Sequence, residues 1–122
     1  MPDRLSEAEL YIMRYFWEKG AMKTDTLSTL VAEKGWKPTT LLTFLSRLVQ
    51  KGMLAVEKQG KANLYSPVVT GDAYRRQEGK TFLDEMFGGS AKGFLAAMVD
   101  SGDISGEEMA DLKAWLQEQE VD

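Results

Sequence analysis

The chain has 122 residues, 43% of them hydrophobic and 28% charged, the balance of a soluble globular protein of one compact unit or two very small ones. It holds no cysteine and no histidine, which excludes disulfides, thiolate and imidazole catalysis and zinc sites of the Cys/His kind, and leaves only oxygen-ligand metals open. The net charge of −4 conceals an asymmetry: residues 1–69 carry ten Lys/Arg against seven Asp/Glu, net +3, while residues 70–122 carry five against twelve, net −7, so two jobs are expected of one chain.

A first helix is signalled by Ser6-Glu7-Ala8-Glu9, where Ser6 can cap and Glu9 can reach back. Leu10, Met13 and Trp17 recur at helical spacing, Ile12 and Phe16 widen the stripe, and Gly20 is the expected stop. A second helix is expected to start after Thr24 or Asp25, to turn Leu27, Leu30 and Val31 inward and to end near Gly35. Lys37-Pro38 opens a third, because a first-turn proline lacks only an N–H that would be unpaired there anyway. This helix should run to about Lys51, with Gly52 ending it.

Two strands are expected next, Met53 to Glu57 and Ala62 to Val68, joined by the short loop Lys58-Gln59-Gly60-Lys61. Three helices followed by a β-hairpin is the winged helix-turn-helix order. Beyond Thr70 the pattern is helical again. Tyr74 to Phe87 carries Phe82, Leu83, Met86 and Phe87, and Gly88-Gly89 close it. Ser90 can cap a helix bearing Phe94, Leu95, Met98 and Val99, which the loop Asp100 to Asp103 breaks. Ser105-Gly106-Glu107-Glu108 reads as a second capping box before Met109, Leu112, Trp115 and Leu116.

On a helical wheel the third helix divides cleanly. Leu41, Phe44, Leu45 and Leu48 lie on one side, with Leu42 and Val49 as part-exposed flanks. Thr39, Thr40, Thr43, Ser46, Arg47 and Gln50 lie on the other. Hydroxyls, an amide and a guanidinium are the groups that bond phosphates and base edges in the major groove. Thr39 and Thr40 also sit near the helix N-terminus, where amides and the helix dipole favour an anion. Lys58 and Lys61 at the hairpin tip complete a basic rim. Alone, such a helix face is more often a plain solvated surface, and the hairpin beside it is what favours DNA.

The C-terminal stretch of roughly 50 residues is too short for a self-sufficient helical lobe. Its Phe, Met and Leu faces could pack back on the N-terminal unit. Pairing with an identical lobe is the preferred expectation, through Phe82, Leu83, Met86, Phe87, Phe94, Leu95, Met98, Met109, Leu112, Trp115 and Leu116. A dimer would set two reading helices about one DNA turn apart, or a multiple of it, for a pseudo-palindromic site.

The runs LSEAELYIMRYFWEKG, KPTTLLTFLSRLVQKGMLAVEKQGKANLYSPVV and YRRQEGKTFLDEMFGGS resemble the penicillinase-repressor (BlaI/MecI/CopY) family of bacterial transcription regulators, from about Leu5 to Leu116. The resemblance implies a winged-helix N-terminal domain, a helical C-terminal dimerisation domain, and repression from a promoter site. It carries DNA contact onto Thr40, Thr43, Arg47 and Lys61. The chain departs from the family at three places. Thr39 and Leu42 stand where a lysine and a basic or polar residue are frequent in the recognition helix. Ala97-Met98 occupies the place of the Asn–Phe bond cut in the β-lactam-responsive branch, and the paired cysteines of the copper-responsive branch are absent. Neither switch is carried over, so the inducer is open, with an unidentified sensor or protease acting on the C-terminal domain as a further expected partner.

The expected architecture is thus mainly α with a small β-hairpin wing: a DNA-binding winged-helix domain over residues 1–69 and a three-helix dimerisation segment over residues 70–122. The expected function is a homodimeric, sequence-specific repressor on double-stranded DNA, with recognition helix Pro38 to Lys51 and wing Lys58 to Lys61. The alternative is a winged-helix module that binds protein and shows no salt-sensitive DNA binding. No enzyme is expected, because neither a Gly-rich phosphate loop nor a spaced carboxylate pair is present, and GDISGEE lacks the spacing of a calcium loop. No cofactor is called for. No apolar run approaches the roughly 20 residues of a membrane span, and MPDRLSEAEL does not read as a signal peptide, so a cytoplasmic location is expected.

Overall fold

In the computed structural model residues 4–119 are described. Ser6 caps the first helix, α1 (Glu7–Lys19), with a full capping box: the Glu9 amide donates to Ser6 Oγ and the Ser6 amide to the Glu9 carboxylate. A two-residue strand, β1 (Met22–Lys23), precedes α2 (Thr24–Leu30), which gives way to a single 3-10 turn at Ala32–Lys34. Then come α3 (Pro38–Gln50), β2 (Leu54–Gln59) and β3 (Ala62–Pro67). Three more helices follow, α4 (Gly71–Phe87), α5 (Ala91–Asp100) and α6 (Gly106–Glu118). The protein is mainly α with a winged helix-turn-helix, as expected.

Several expectations need correction. The sheet has three strands, in the order β1-β3-β2 and all antiparallel, because Met22 and Lys23 pair with Tyr65 and Leu64. Two residues are too few for alternation to be visible in a sequence. The hairpin loop is shorter than four residues. Lys58 and Gln59 pair with Asn63 and Ala62, so β2 runs on and only Gly60-Lys61 form the turn, with Gly60 supplying the positive φ that a tight hairpin needs. The second helix stops at Leu30 rather than near Gly35. At α6 only the forward half of the capping box forms among the described residues, the Glu108 amide donating to Ser105 Oγ at 3.0 Å. The fourth helix starts at Gly71, where the Ala73 amide donates to Thr70 Oγ1.

The buried face of α1 is also rotated from the expected one. Ile12, Met13 and Phe16 are fully buried, as is Glu9, whereas Leu10 and Trp17 are only half-buried. The core of the winged helix joins these to Leu27, Val31, Leu41, Leu45, Leu48, Met53, Leu54 and Tyr65.

By packing, the chain divides between Glu78 and Gly79, within α4 rather than at its start. Tyr74 is buried in the core of the first unit, where its ring lies 5.6 Å from Trp17 and its hydroxyl accepts from the Leu5 amide. The first turns of α4 therefore belong with the winged helix. In the second unit, none of the described residues from Gly79 to Gln119 is buried.

Candidate nucleic-acid interface

The sequence of α3 anchors one face and frees the other. Leu41, Leu45 and Leu48 are buried in the core, and Phe44 and Val49 pack half-buried against it. The start of the helix is held by an aromatic chain, with Trp36 5.0 Å from Phe44 and 5.9 Å from Tyr11 of α1. The Tyr11 hydroxyl donates to Glu33 Oε1 at 2.6 Å, and that bond, with the Tyr15 hydroxyl beside it, pushes the phenol well above its ordinary range. The end of α3 is closed by Gly52 at φ +77. The Gly52 amide donates to the Val49 carbonyl and the Met53 amide to the Leu48 carbonyl, with Leu48 and Met53 both buried. This paired cap turns the chain directly into the wing.

The opposite face of α3 exposes Thr39, Thr43, Ser46, Arg47 and Gln50, while Thr40 is half-buried. No acidic residue lies anywhere in α3. Among the described residues Arg47, Lys58 and Lys61 make no ion pair, so their charges remain available to phosphates. Two hydroxyl and amide donors are less free than the wheel suggests. Thr43 Oγ1 already donates to the Thr39 carbonyl at 2.9 Å, which leaves it as an acceptor toward a ligand. The Thr40 amide donates to the Lys37 carbonyl at 2.9 Å, which reduces what the helix N-terminus offers an anion.

On the wing, Lys58 and Asn63 are directly opposed in the β2–β3 ladder, share a face and are both exposed. Lys61 is exposed in the turn. Asn63 and the exposed Lys37 at the start of α3 extend the candidate surface beyond the residues picked from sequence. The register of the hairpin brings Asn63 beside Lys58, and the two-residue turn sets that register.

In the second unit the rings of Phe82, Phe87 and Phe94 form a triangle with centroids 5.6–5.8 Å apart. Leu83, Leu95, Met98 and Leu112 are half-buried. Phe82, Met86, Met109, Trp115 and Leu116 are exposed, Met86 and Trp115 at 66% and 54%. An apolar groove of about 730 Å3 runs between α5 and α6, walled by Leu95, Val99, Met109, Leu112 and Leu116.

The sequence profile of the penicillinase repressor family matches residues 5–118. The chain belongs to that family. It is 28% identical over 116 residues to the penicillinase repressor of Bacillus licheniformis, covering 94% of this chain and 91% of that one. It is 26% identical over 110 residues to the methicillin resistance regulatory protein MecI of Staphylococcus aureus strain N315, covering 89% of each. Among solved structures, the DNA-binding domain of the repressor BlaI matches with a TM-score of 0.54 at 30% identity, over 61% of this chain and 94% of that one. The Bacillus licheniformis BlaI monomer in complex with the blaP half-operator matches with a TM-score of 0.52 at 29% identity, over 61% and 92%. This penicillinase repressor family member has no helix, among the described residues, long and apolar enough to cross a membrane.

Proposed function

We propose that this family member is a transcriptional repressor that binds a pseudo-palindromic promoter operator as a homodimer. The observation that carries the reading is the exposed Thr39–Gln50 face of α3, free of acids and continued by Lys58 and Lys61 of the wing, which make no ion pair among the described residues. It lies on a winged helix similar to one solved on a half-operator. Residues 1–69 would read DNA, with Arg47 on a guanine edge or phosphate, Thr39, Thr40, Thr43, Ser46 and Gln50 on base edges and backbone, and Lys58 and Lys61 on phosphates. Residues 70–122 would hold the dimer through the exposed apolar faces of α4, α5 and α6. A helical unit in which none of the described residues from Gly79 to Gln119 is buried lacks the core to stand alone, which supports a second copy as its covering.

The test is fluorescence anisotropy on DNA from upstream of the protein's own gene, beside a scrambled duplex, over a salt series. Tight binding to the native duplex alone, two chains per site and a steep loss with salt are expected. Weak binding, equal on both duplexes and insensitive to salt, would remove the DNA-reading role.

A further inference from the structure

The first unit contains a second feature that DNA reading does not use. A cavity of about 410 Å3 opens beside α1 and the first two turns of α4. Its apolar walls are Leu5, Leu10 and the paired rings of Trp17 and Tyr74. Among the described residues three guanidinium groups, Arg4, Arg14 and Arg75, also line it, against one carboxylate, Glu78. Two of the three already hold carboxylates. Arg4 donates through Nε and Nη2 to Glu78 Oε2, both at 3.2 Å, and Arg75 Nη2 donates to Asp72 Oδ1 at 2.5 Å. Arg14 is exposed and, among the described residues, has no carboxylate within salt-bridge distance. Among the described residues the positive surplus of the cavity is therefore Arg14, set between flat aromatic and branched apolar walls.

We infer that this cavity binds a small organic carboxylate with an aromatic or branched apolar body, whose anion is held by Arg14 and competes with Glu78 for Arg4. The chemistry selects that class. Guanidinium binds carboxylate through paired N–H donors, and the cavity is of the size that small-molecule sites have. The Trp17 and Tyr74 rings and the two leucines would cover an apolar body. An inorganic anion would leave those walls wet, and a neutral apolar molecule would leave Arg14 unused. The competition with Glu78 gives binding a consequence. Glu78 Oε1 accepts from the Tyr74 hydroxyl, and that hydroxyl accepts from the Leu5 amide. Drawing Arg4 away would loosen one end of the network that fastens α4 to the N-terminal segment. This would make the cavity an effector site.

The full-length 15N-labelled protein is titrated without DNA, so failure here is separate from failure of the repressor reading. The probes are 3-phenylpropionate, its neutral amide and acetate, followed on the Trp17 indole N–H and the arginine Nε–H resonances. Saturable shifts with 3-phenylpropionate are expected, with neither the amide nor acetate saturating. Arg14→Met should weaken binding about tenfold or more by removing the charged contact at an exposed position. Glu78→Gln should strengthen binding by freeing Arg4. Equal binding of the amide, no saturation with the acid, or an affinity unmoved by both substitutions would overturn the proposal.

Discussion

Glu9 is the residue whose role depends most on its surroundings. It is 1% exposed, yet its carboxylate accepts from Lys51 Nζ at 2.6 Å and from the Ser6 amide at 2.8 Å. Lys51 Nζ also donates to the Arg4 carbonyl, so one ammonium ties the end of α3 to the start of α1. Burial pushes the Glu9 carboxyl up, but the bonds from Lys51 and Ser6 and the Lys51 charge outweigh it and hold the carboxyl below its ordinary 4.5. A pKa lowered by folding stabilises fully above the unfolded value and is lost as pH falls through the folded one. Glu9→Gln should therefore cost about 1–3 kcal/mol at neutral pH. Urea midpoints should show the gap to the parent narrowing as pH falls below the unfolded value. At the DNA face, Arg47→Ala should cost about 1–3 kcal/mol on the operator and relax specificity, whereas Lys61→Ala should weaken all duplexes and flatten the salt slope by about one unit. If Arg47→Ala loses the same amount on operator and scrambled DNA, its role is confined to a phosphate.

At the scale of elements, the joint between α3 and the wing is the decisive feature. Gly52 has φ +77 with nothing within 4 Å of an added Cβ, so the cost of Gly52→Ala is purely one of backbone conformation, about 1–2 kcal/mol. Because that joint aims the wing, the variant should lose DNA affinity beyond what its stability at the assay temperature explains. Gly79→Ala makes the opposite case. Gly79 sits inside α4 without positive φ and with open space around it, so alanine should raise the melting temperature, a gain of about 0.5–1 kcal/mol. The two variants measured side by side by thermal unfolding separate a glycine required by geometry from one that only loosens a helix.

For the whole molecule the question is what covers the second unit. A monomer exposing Met86, Met109, Trp115 and Leu116 together presents the kind of apolar surface that marks an interaction site. Under the dimer reading, Trp115→Glu and Met86→Glu should shift sedimentation from two chains toward one at micromolar concentration. They should leave the circular dichroism of the winged helix largely intact, and operator binding should fall because half-sites are no longer linked. A protein that sediments as a monomer before any substitution would end that reading. The charge asymmetry belongs at this scale too. A net −7 over residues 70–122 would disfavour DNA contact by the helical part while the net +3 of residues 1–69 approaches the phosphates.

Most of what could be read from sequence is decided by short-range chemistry. The Ser6/Glu9 capping box, the proline at the first turn of α3, the stripe of Leu41, Leu45 and Leu48 and the glycines at the turns each act within a few residues, so the helix order and the wing followed from them. So did the candidate DNA face, because a helix with one leucine stripe must turn its other side outward. The tertiary structure decided what depends on distant partners. Glu9 reads as a capping residue until Lys51, from the far end of α3, arrives to neutralise it in the core. Trp17 reads as core, yet it stays at the rim because its indole N–H needs the Val69 carbonyl, which it reaches at 2.8 Å. The strand at Met22–Lys23 exists only because β3 passes alongside, and Lys58 belongs to β2 only because Asn63 pairs with it. The contacts of Glu9, Trp17 and Met22 are long-range, their energy depends on which groups meet after the chain has folded, and no local periodicity encodes that meeting, whereas the pairing of Lys58 with Asn63 is local and follows from the length of the turn.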